Sequence, residues 1–392
     1  MKRGKRSWGA VSIGALIVMC ITFGILIGTG AIRLGEGVDG AAGIPLAMAS
    51  SSEDRYGSID TARVRMEFEA IGMSDVPENV IATLSTLERI DDYPVYTMRY
   101  FGPYLRASEL QPEPEPDEAA LKATDWACSL FAAVGDSSWP VFGRNFDWEY
   151  SPILVLFLEP EDGYRSIMSI DIAYLVEQAD IDRLDECDAE ELLPLLSAPF
   201  LTFDGMNERG VAIGMASVDY ECGYPSDPEK RDVGDLRLMR EVLESSATVE
   251  EAIAFLETIN PVSQGGPNMH YLIADRTPSA ALVEYHDGEM VVFHSSAETP
   301  WQLGTNFPVV LTEGNPTGSC WRYDLIDATL RQNAGELTAS DTMDLLQAVS
   351  TPTTRWSIVY DLSQLEARLV IERNADGVHT FSLTEAGEPH ED

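Results

Sequence analysis

Short apolar runs of strand length, separated by turn residues, recur along this 392-residue chain and limit what it can fold into. Ile153–Leu158, Val211–Ala216, Tyr271–Ala274, Ala281–Tyr285 and Met290–Phe293 read as strands. Asp287-Gly288 between the last two is a hairpin turn. Leu369–Arg373 and His379–Leu383 form a further strand pair around Asp376-Gly377. Helical stretches lie among them. Leu236–Leu243 and Val249–Ile259 carry apolar residues at helical spacing, the second behind the capping box Thr248-x-x-Glu251. Tyr323–Arg331 is a further helix, and Thr338-x-x-Asp341 starts another that runs to about Ala348. Hairpins with helices grouped between them predict antiparallel sheet layers covered by helices, an α+β fold. The absence of GxxxxGK[ST] and GxSxG motifs takes the usual support from P-loop nucleotide binding and serine hydrolysis.

The N-terminus carries a separate signal. Lys2, Arg3, Lys5 and Arg6 precede an uncharged stretch from Ser7 to Ile32, long enough to span a bilayer, which takes about 20 apolar residues. The positive flank predicts an N-terminus inside and an exported remainder. A signal anchor in residues 1–32 is the favoured reading and a cleaved signal peptide its competitor. Ala47-Met48-Ala49 has the form of a cleavage site but lies late. The expected location is therefore a membrane-anchored, extracytoplasmic body, or a secreted one if the segment is removed. Residues 33–60, rich in Gly, Ala and Ser, read as a flexible tether. Residues 61–127 form a pre-segment, partly helical over Arg63–Leu87, and Gln111-Pro-Glu-Pro-Glu-Pro-Asp117 within it is an extended loop. The body spans residues 128–392.

Charge excludes one class of partner. Asp and Glu number 65 against 26 Lys and Arg, a net charge of −39, and such a surface repels nucleic acid. It reads as a heavily solvated exterior of the kind adapted to high salt. Five cysteines and five histidines show no CxxC or mixed metal-ligand spacing, so no metal or other cofactor is expected. Cys187 and Cys222 either pair or stay free; spacing does not choose.

Cys128 is the chemical centre of the sequence. Arg144 follows it by 16 residues (144 − 128) and Asp147 by 19 (147 − 128), within Gly143-Arg-Asn-Phe-Asp-Trp148. A thiol, a cation to hold it as thiolate and a carboxylate to orient an amine make a nucleophilic set. On spacing alone, a buried core thiol beside an ordinary ion pair is an equal reading.

Cys128 and the Gly143–Trp148 run resemble the N-terminal-nucleophile amide hydrolases of the choloylglycine hydrolase, penicillin V acylase, acid ceramidase and N-acylethanolamine acid amidase family. Asp204–Gly210, His270–Asp275, Gly304-Thr-Asn-Phe307, Cys320-Trp-Arg322 and Arg355–Asp361 follow in the family's order. The resemblance implies a four-layer αββα sandwich of two mainly antiparallel sheets. It implies self-cleavage of Ala127–Cys128, with Cys128 as nucleophile and its freed α-amine as base, and the pre-segment kept as a small subunit. It also implies that Arg144 favours the thiolate, that Asp147 accepts from the α-amine and that Asn306 donates to the oxyanion. Arg322 would stabilise charge, with Arg355 its lesser rival. Where bile-salt and penicillin enzymes carry a second oxyanion-hole asparagine, this chain has Ser217, whose backbone N–H can still serve. Asn207 and Glu208 read as structural, and Cys320 has no counterpart. The implied substrate is a small-molecule N-acyl amide. Acyl transfer from the same acyl-enzyme, and a non-catalytic membrane-anchored protein keeping the fold, are the alternatives.

Overall fold

The computed structural model describes residues 61–102, 127–148, 150–176, 178–221, 223–263 and 267–384. Two sheets dominate. The larger has the order β1 (Glu88–Asp91), β2 (Val95–Phe101), β5 (Ile153–Glu159), β6 (Ser166–Asp171), β7 (Asp204–Asn207), β8 (Ala212–Val218), β11 (Asn268–Asp275), β12 (Ser279–His286) and β13 (Glu289–His294). The second runs β14 (Trp301–Gly304), β3 (Ala127–Ala133), β4 (Val141–Asp147), β15 (Thr354–Asp361), β16 (Glu366–Ile371) and β17 (Val378–Ser382). Pairing is antiparallel throughout both, except that β2 lies parallel to β5. A small parallel pair, β9 (Arg231–Gly234) and β10 (Ile259–Val262), stands apart.

The two-residue period of a strand shows which face meets what. In β3, Leu130 and Ala132 join the large core cluster, while Phe131 and Ala133 join a second one. In β4, Phe142 faces the first cluster and Val141 the second. The second sheet is thus buried on both faces. On one side β3 packs against β8 and β11, and β14 against β11 and β12. On the other, helices α7 (Trp321–Gln332) and α8 (Ala339–Ala348) cover it. Helices α5 (Asp235–Ser245) and α6 (Val249–Leu256) pack against the larger sheet. The result is a mixed α+β fold of stacked sheets and helices. Short helices α1 (Ala62–Ala70), α2 (Glu78–Leu84), α3 (Gln178–Ile181) and α4 (Ala189–Leu192) complete the described elements.

The strand and helix expectations hold in kind and shift at their ends. The helix expected over Val249–Ile259 stops at Leu256, and Ile259 begins β10 instead. Pro261 lies two residues on, and the residue before a proline is steered out of the helical region. The strand expected over Leu369–Arg373 ends at Ile371, because Glu372 and Arg373 take positive φ of 49° and 63°. The pre-segment supplies β1 and β2, which join the larger sheet through β5, so the fold draws on residues from both sides of Cys128.

Among the described residues no helix is long and apolar enough to cross a membrane. The apolar stretch Ser7–Ile32, the expected tether 33–60, the Gln111–Asp117 loop and Cys222 all lie outside them. So does the Cys187–Cys222 question; Cys187 itself is a buried free thiol.

Candidate active site

Strand β3 brings Cys128 to the start of the second sheet, paired with Phe146 of β4. Its side chain joins the core cluster and is 1% exposed. What the surrounding residues grip is its main chain. The Cys128 N–H donates to Asn306 Oδ1 at 2.6 Å. The Cys128 carbonyl accepts from Arg322 Nη1, which also reaches Ser129 Oγ at 2.9 Å. Arg322 Nη2 donates to Asn306 Oδ1 at 2.9 Å, joining the two grips. Asn306 in turn donates its side-chain amide to the Ser217 carbonyl and hydroxyl, both at 3.0 Å.

Topology explains why residues so distant in sequence meet. Asn306 lies two residues past β14, which pairs with β3 through Gly304 and Leu130. Arg322 sits in the first turn of α7 and is buried, reaching inward from the helical layer. Ser217 is near the end of β8.

Asp147 ends β4 directly across from Ala127. The Thr354 hydroxyl donates to its Oδ1. Its Oδ2 is buried, has no hydrogen-bond partner among the described residues, and lies 3.9 Å from Arg322 Nη1. Burial pushes the carboxyl up to about 6, against the opposing pull of Thr354, Arg322 and Arg144. The Thr351 hydroxyl also pulls the carboxyl down, and Asp147 Oδ2 faces the start of β3, across from Ala127.

Arg144 is fully buried and forms an ion pair with Asp204 of β7, bridging the two sheets. Asp204 also accepts from the Tyr360 hydroxyl at 2.6 Å. The guanidinium lies 4.9 Å from the centre of the Phe146 ring, which stacks on Trp356. Its expected influence on Cys128 is present in sign, but burial dominates and pushes the thiol up; Arg144 and Arg322 pull it down and Asp147 opposes them. With the Ala127–Cys128 peptide intact, proximity of a guanidinium does not outweigh the effect of burial on the Cys128 thiol.

The structure thus gathers Cys128, Asp147, Ser217, Asn306 and Arg322, with Arg144 beneath them. Arg355 is elsewhere, donating to the Trp148 carbonyl and paired with Glu372. Asn207 folds its own turn, accepting from Arg209 and Val211 N–H and donating to the Leu243 and Ser246 carbonyls. Glu208 pairs with Arg165. Sequence reasoning missed Ser129, Asp204, Thr354 and Tyr360. Asp204 and Tyr360 lay in segments already marked, but nothing in the sequence pairs a tyrosine or threonine hydroxyl with a distant carboxylate. Cys320 caps α7. Burial works against its thiolate, but the Tyr323 N–H, the Thr305 hydroxyl and Arg322 outweigh that and lower its pKa.

Residues 128–303 match the family model of linear amide C–N hydrolases, choloylglycine hydrolase family. That match spans a little under half of the chain. Cys128, Arg144, Asp147 and Ser217 fall inside the match; Asn306 and Arg322 lie beyond its end. The chain is 29% identical over 118 residues to a penicillin V acylase of Pectobacterium atrosepticum, an alignment covering 27% of this chain and 30% of that enzyme. Solved structures similar to it include two enzymes. A mutant conjugated bile acid hydrolase from Clostridium perfringens is 16% identical, covering 66% of this chain and 93% of that one, with a TM-score of 0.49. Penicillin V acylase from Agrobacterium tumefaciens is 20% identical, covering 66% and 87%, with a TM-score of 0.44.

Proposed function

We propose that this protein is a self-processing cysteine amidohydrolase. It cuts its own Ala127–Cys128 bond and then hydrolyses a linear N-acyl amide through an acyl-enzyme on Cys128. Its layers then correspond to the αββα sandwich of N-terminal-nucleophile hydrolases, with residues 61–127 retained as a small subunit. One observation carries the reading: the site holds the nitrogen and carbonyl of Cys128, with Asn306 Oδ1 on the N–H and Arg322 on the carbonyl. A cysteine acting only as a side-chain nucleophile needs no such grip. An α-amine serving as base does.

The chemistry follows from these positions. Cleavage turns the Cys128 N–H into an α-amine, whose unperturbed pKa of about 7.7–8.0 suits a base at neutral pH. It sits on Asn306 Oδ1, next to Ala127, which pairs across from Asp147. The amine takes the thiol proton, sulfur attacks the substrate carbonyl, and the carbonyl oxygen becomes an oxyanion. The Ser217 N–H and the Asn306 amide hydrogen now spent on Ser217 Oγ are the donors for it; one such donor is typically worth about 10²–10³ in rate. Collapse breaks the C–N bond, and the α-amine returns its proton to the leaving amine. Water, deprotonated by the same amine, then releases the acid. The exported, membrane-anchored placement of the body rests on the N-terminal charge and hydropathy pattern.

Intact mass and N-terminal sequencing of the purified chain test the reading. The expected result is a fragment beginning at Cys128 and amide hydrolysis that appears with it, both absent from Cys128→Ala. A wild-type chain that stays unbroken and inactive at mildly acidic and neutral pH overturns it in favour of a non-catalytic protein.

A further inference from the structure

The site places Asn306 on a loop, and its register there depends on a buried pair outside the catalytic cluster. His270 of β11 and Glu284 of β12 stand opposite each other, one residue beyond the Tyr271–Val283 pair. His270 Nδ1 lies 2.9 Å from Glu284 Oε1, with side chains 1% and 3% exposed. A carboxyl buried this deeply needs partners. Glu284 finds the others in the backbone just past Asn306: Val309 N–H donates to Oε1 at 2.8 Å and Val310 N–H to Oε2 at 2.7 Å.

The same pair bounds the loop on its other side. Gly304, two residues before Asn306, packs closely against the imidazole. A Cβ at that position would sit 3.0 Å from both His270 Cε1 and Nε2, and 3.1 Å from Leu282 Cδ1. The segment 304–310 is therefore fixed before Asn306 by the His270 ring and after it by both oxygens of Glu284. Between these points Asn306 must hold the Cys128 nitrogen with its oxygen and Ser217 with its amide.

We propose that Glu284, braced by His270, is a positioning residue for catalysis: it sets the register of the Asn306 loop on the Cys128 nitrogen. This rests on the reading of that nitrogen as the catalytic base. It goes further in assigning a function to two side chains that touch neither the nucleophile nor the substrate. Misplacing a reacting group by about 1 Å can cost about 10²-fold in rate, so the loss belongs in kcat.

The test uses the full chain and four variants: Glu284→Gln, Gly304→Ala, Asn306→Ala and the double variant Glu284→Gln/Asn306→Ala. Glu284→Gln keeps the size but sets an NH2 group against one backbone donor. Gly304→Ala disturbs the loop from its other end and leaves Glu284 intact, which keeps the test open should the first variant fold poorly. Turnover of a model N-acyl amide is divided by the number of processed sites, counted by stoichiometric alkylation of the new N-terminal cysteine. Both single variants are expected to lower kcat per site about 10- to 100-fold with little change in KM. The double variant should be no slower than Asn306→Ala alone, because Glu284 acts through Asn306. Additive losses, or unchanged kcat per site in soluble, processed variants, overturn the proposal while leaving the amidohydrolase reading intact. A wild-type chain without cleavage or turnover removes both.

Discussion

Thr354 determines how much of Asp147 is available to chemistry. Its hydroxyl accepts the Thr351 N–H at 2.8 Å and passes its own hydrogen to Asp147 Oδ1. That leaves Oδ2 as the open acceptor next to β3. Because the Thr354 bond favours the ionised carboxyl, already raised to about 6 by burial, removing it should raise the pKa further. Thr354→Val is expected to slow self-cleavage and turnover about tenfold or more, and to move the acid limb of the pH–rate profile to higher pH. Thr354→Ser should restore both. An acid limb that stays in place in Thr354→Val would show that Asp147 does not control it. At this scale the sequence was half legible. Cys128, Arg144 and Asp147 stood out because they lie within 20 residues on two paired strands. Thr354 did not, since 207 residues separate it from Asp147 and Thr351-Pro-Thr-Thr reads as an ordinary turn. The guanidinium acts on the thiol in the expected direction, but spacing shows charge and not burial, and in the uncleaved chain burial has the larger effect.

Strand β4 shows what was hidden at the level of elements. Five strands of the larger sheet, β5, β8, β11, β12 and β13, announced themselves as apolar runs, but β2, β6, β3 and β4 escaped notice. β4 carries Gly143, Arg144, Asn145 and Asp147, all buried, and such residues suggest a loop until their partners are known. Each has a reason to be there. Asn145 donates to the Leu346 carbonyl at 2.7 Å, tying the strand to α8. Gly143 permits the helix to come that close, because a Cβ would fall 2.8 Å from Thr342 Cγ2 and 3.2 Å from Phe131 Cζ. Gly143→Ala is therefore expected to destabilise the fold by about 1–3 kcal/mol through overpacking, read as a lowered midpoint in urea without a change in slope. Thr342→Ser, which removes the offending methyl group, should recover part of that loss in the double variant. No recovery would mean that the strand, and not the helix contact, sets the requirement for glycine.

For the molecule as a whole, the net charge of −39 describes the surface and says nothing of the carboxyls inside. Three of those resist ionisation: Asp147, Asp171 and the partly buried Glu244, which burial pushes up to about 8. Burial holds Asp147 at about 6 and Asp171 at about 7, the latter despite the Ala173 N–H it accepts. Both lie above their ordinary value of 3.8, so between pH 4 and 7 the folded chain keeps protons that the unfolded chain has released. Stability should then fall as pH rises through this window. Each tenfold change in proton affinity is worth about 1.4 kcal/mol, which makes the combined effect a few kcal/mol. Surface self-repulsion works in the same direction but is screened by salt, whereas the buried groups are screened much less. Thermal unfolding of the uncleaved Cys128→Ala chain in about 1 M salt separates the two causes. The midpoint should be higher near pH 5 than near pH 8, and Asp171→Asn should flatten the difference. A midpoint that climbs from pH 5 to 8 in high salt would mean that the interior carboxyls are ionised in the fold. Asp147 would then enter the reaction already charged, and the acid limb assigned to it would belong to another group.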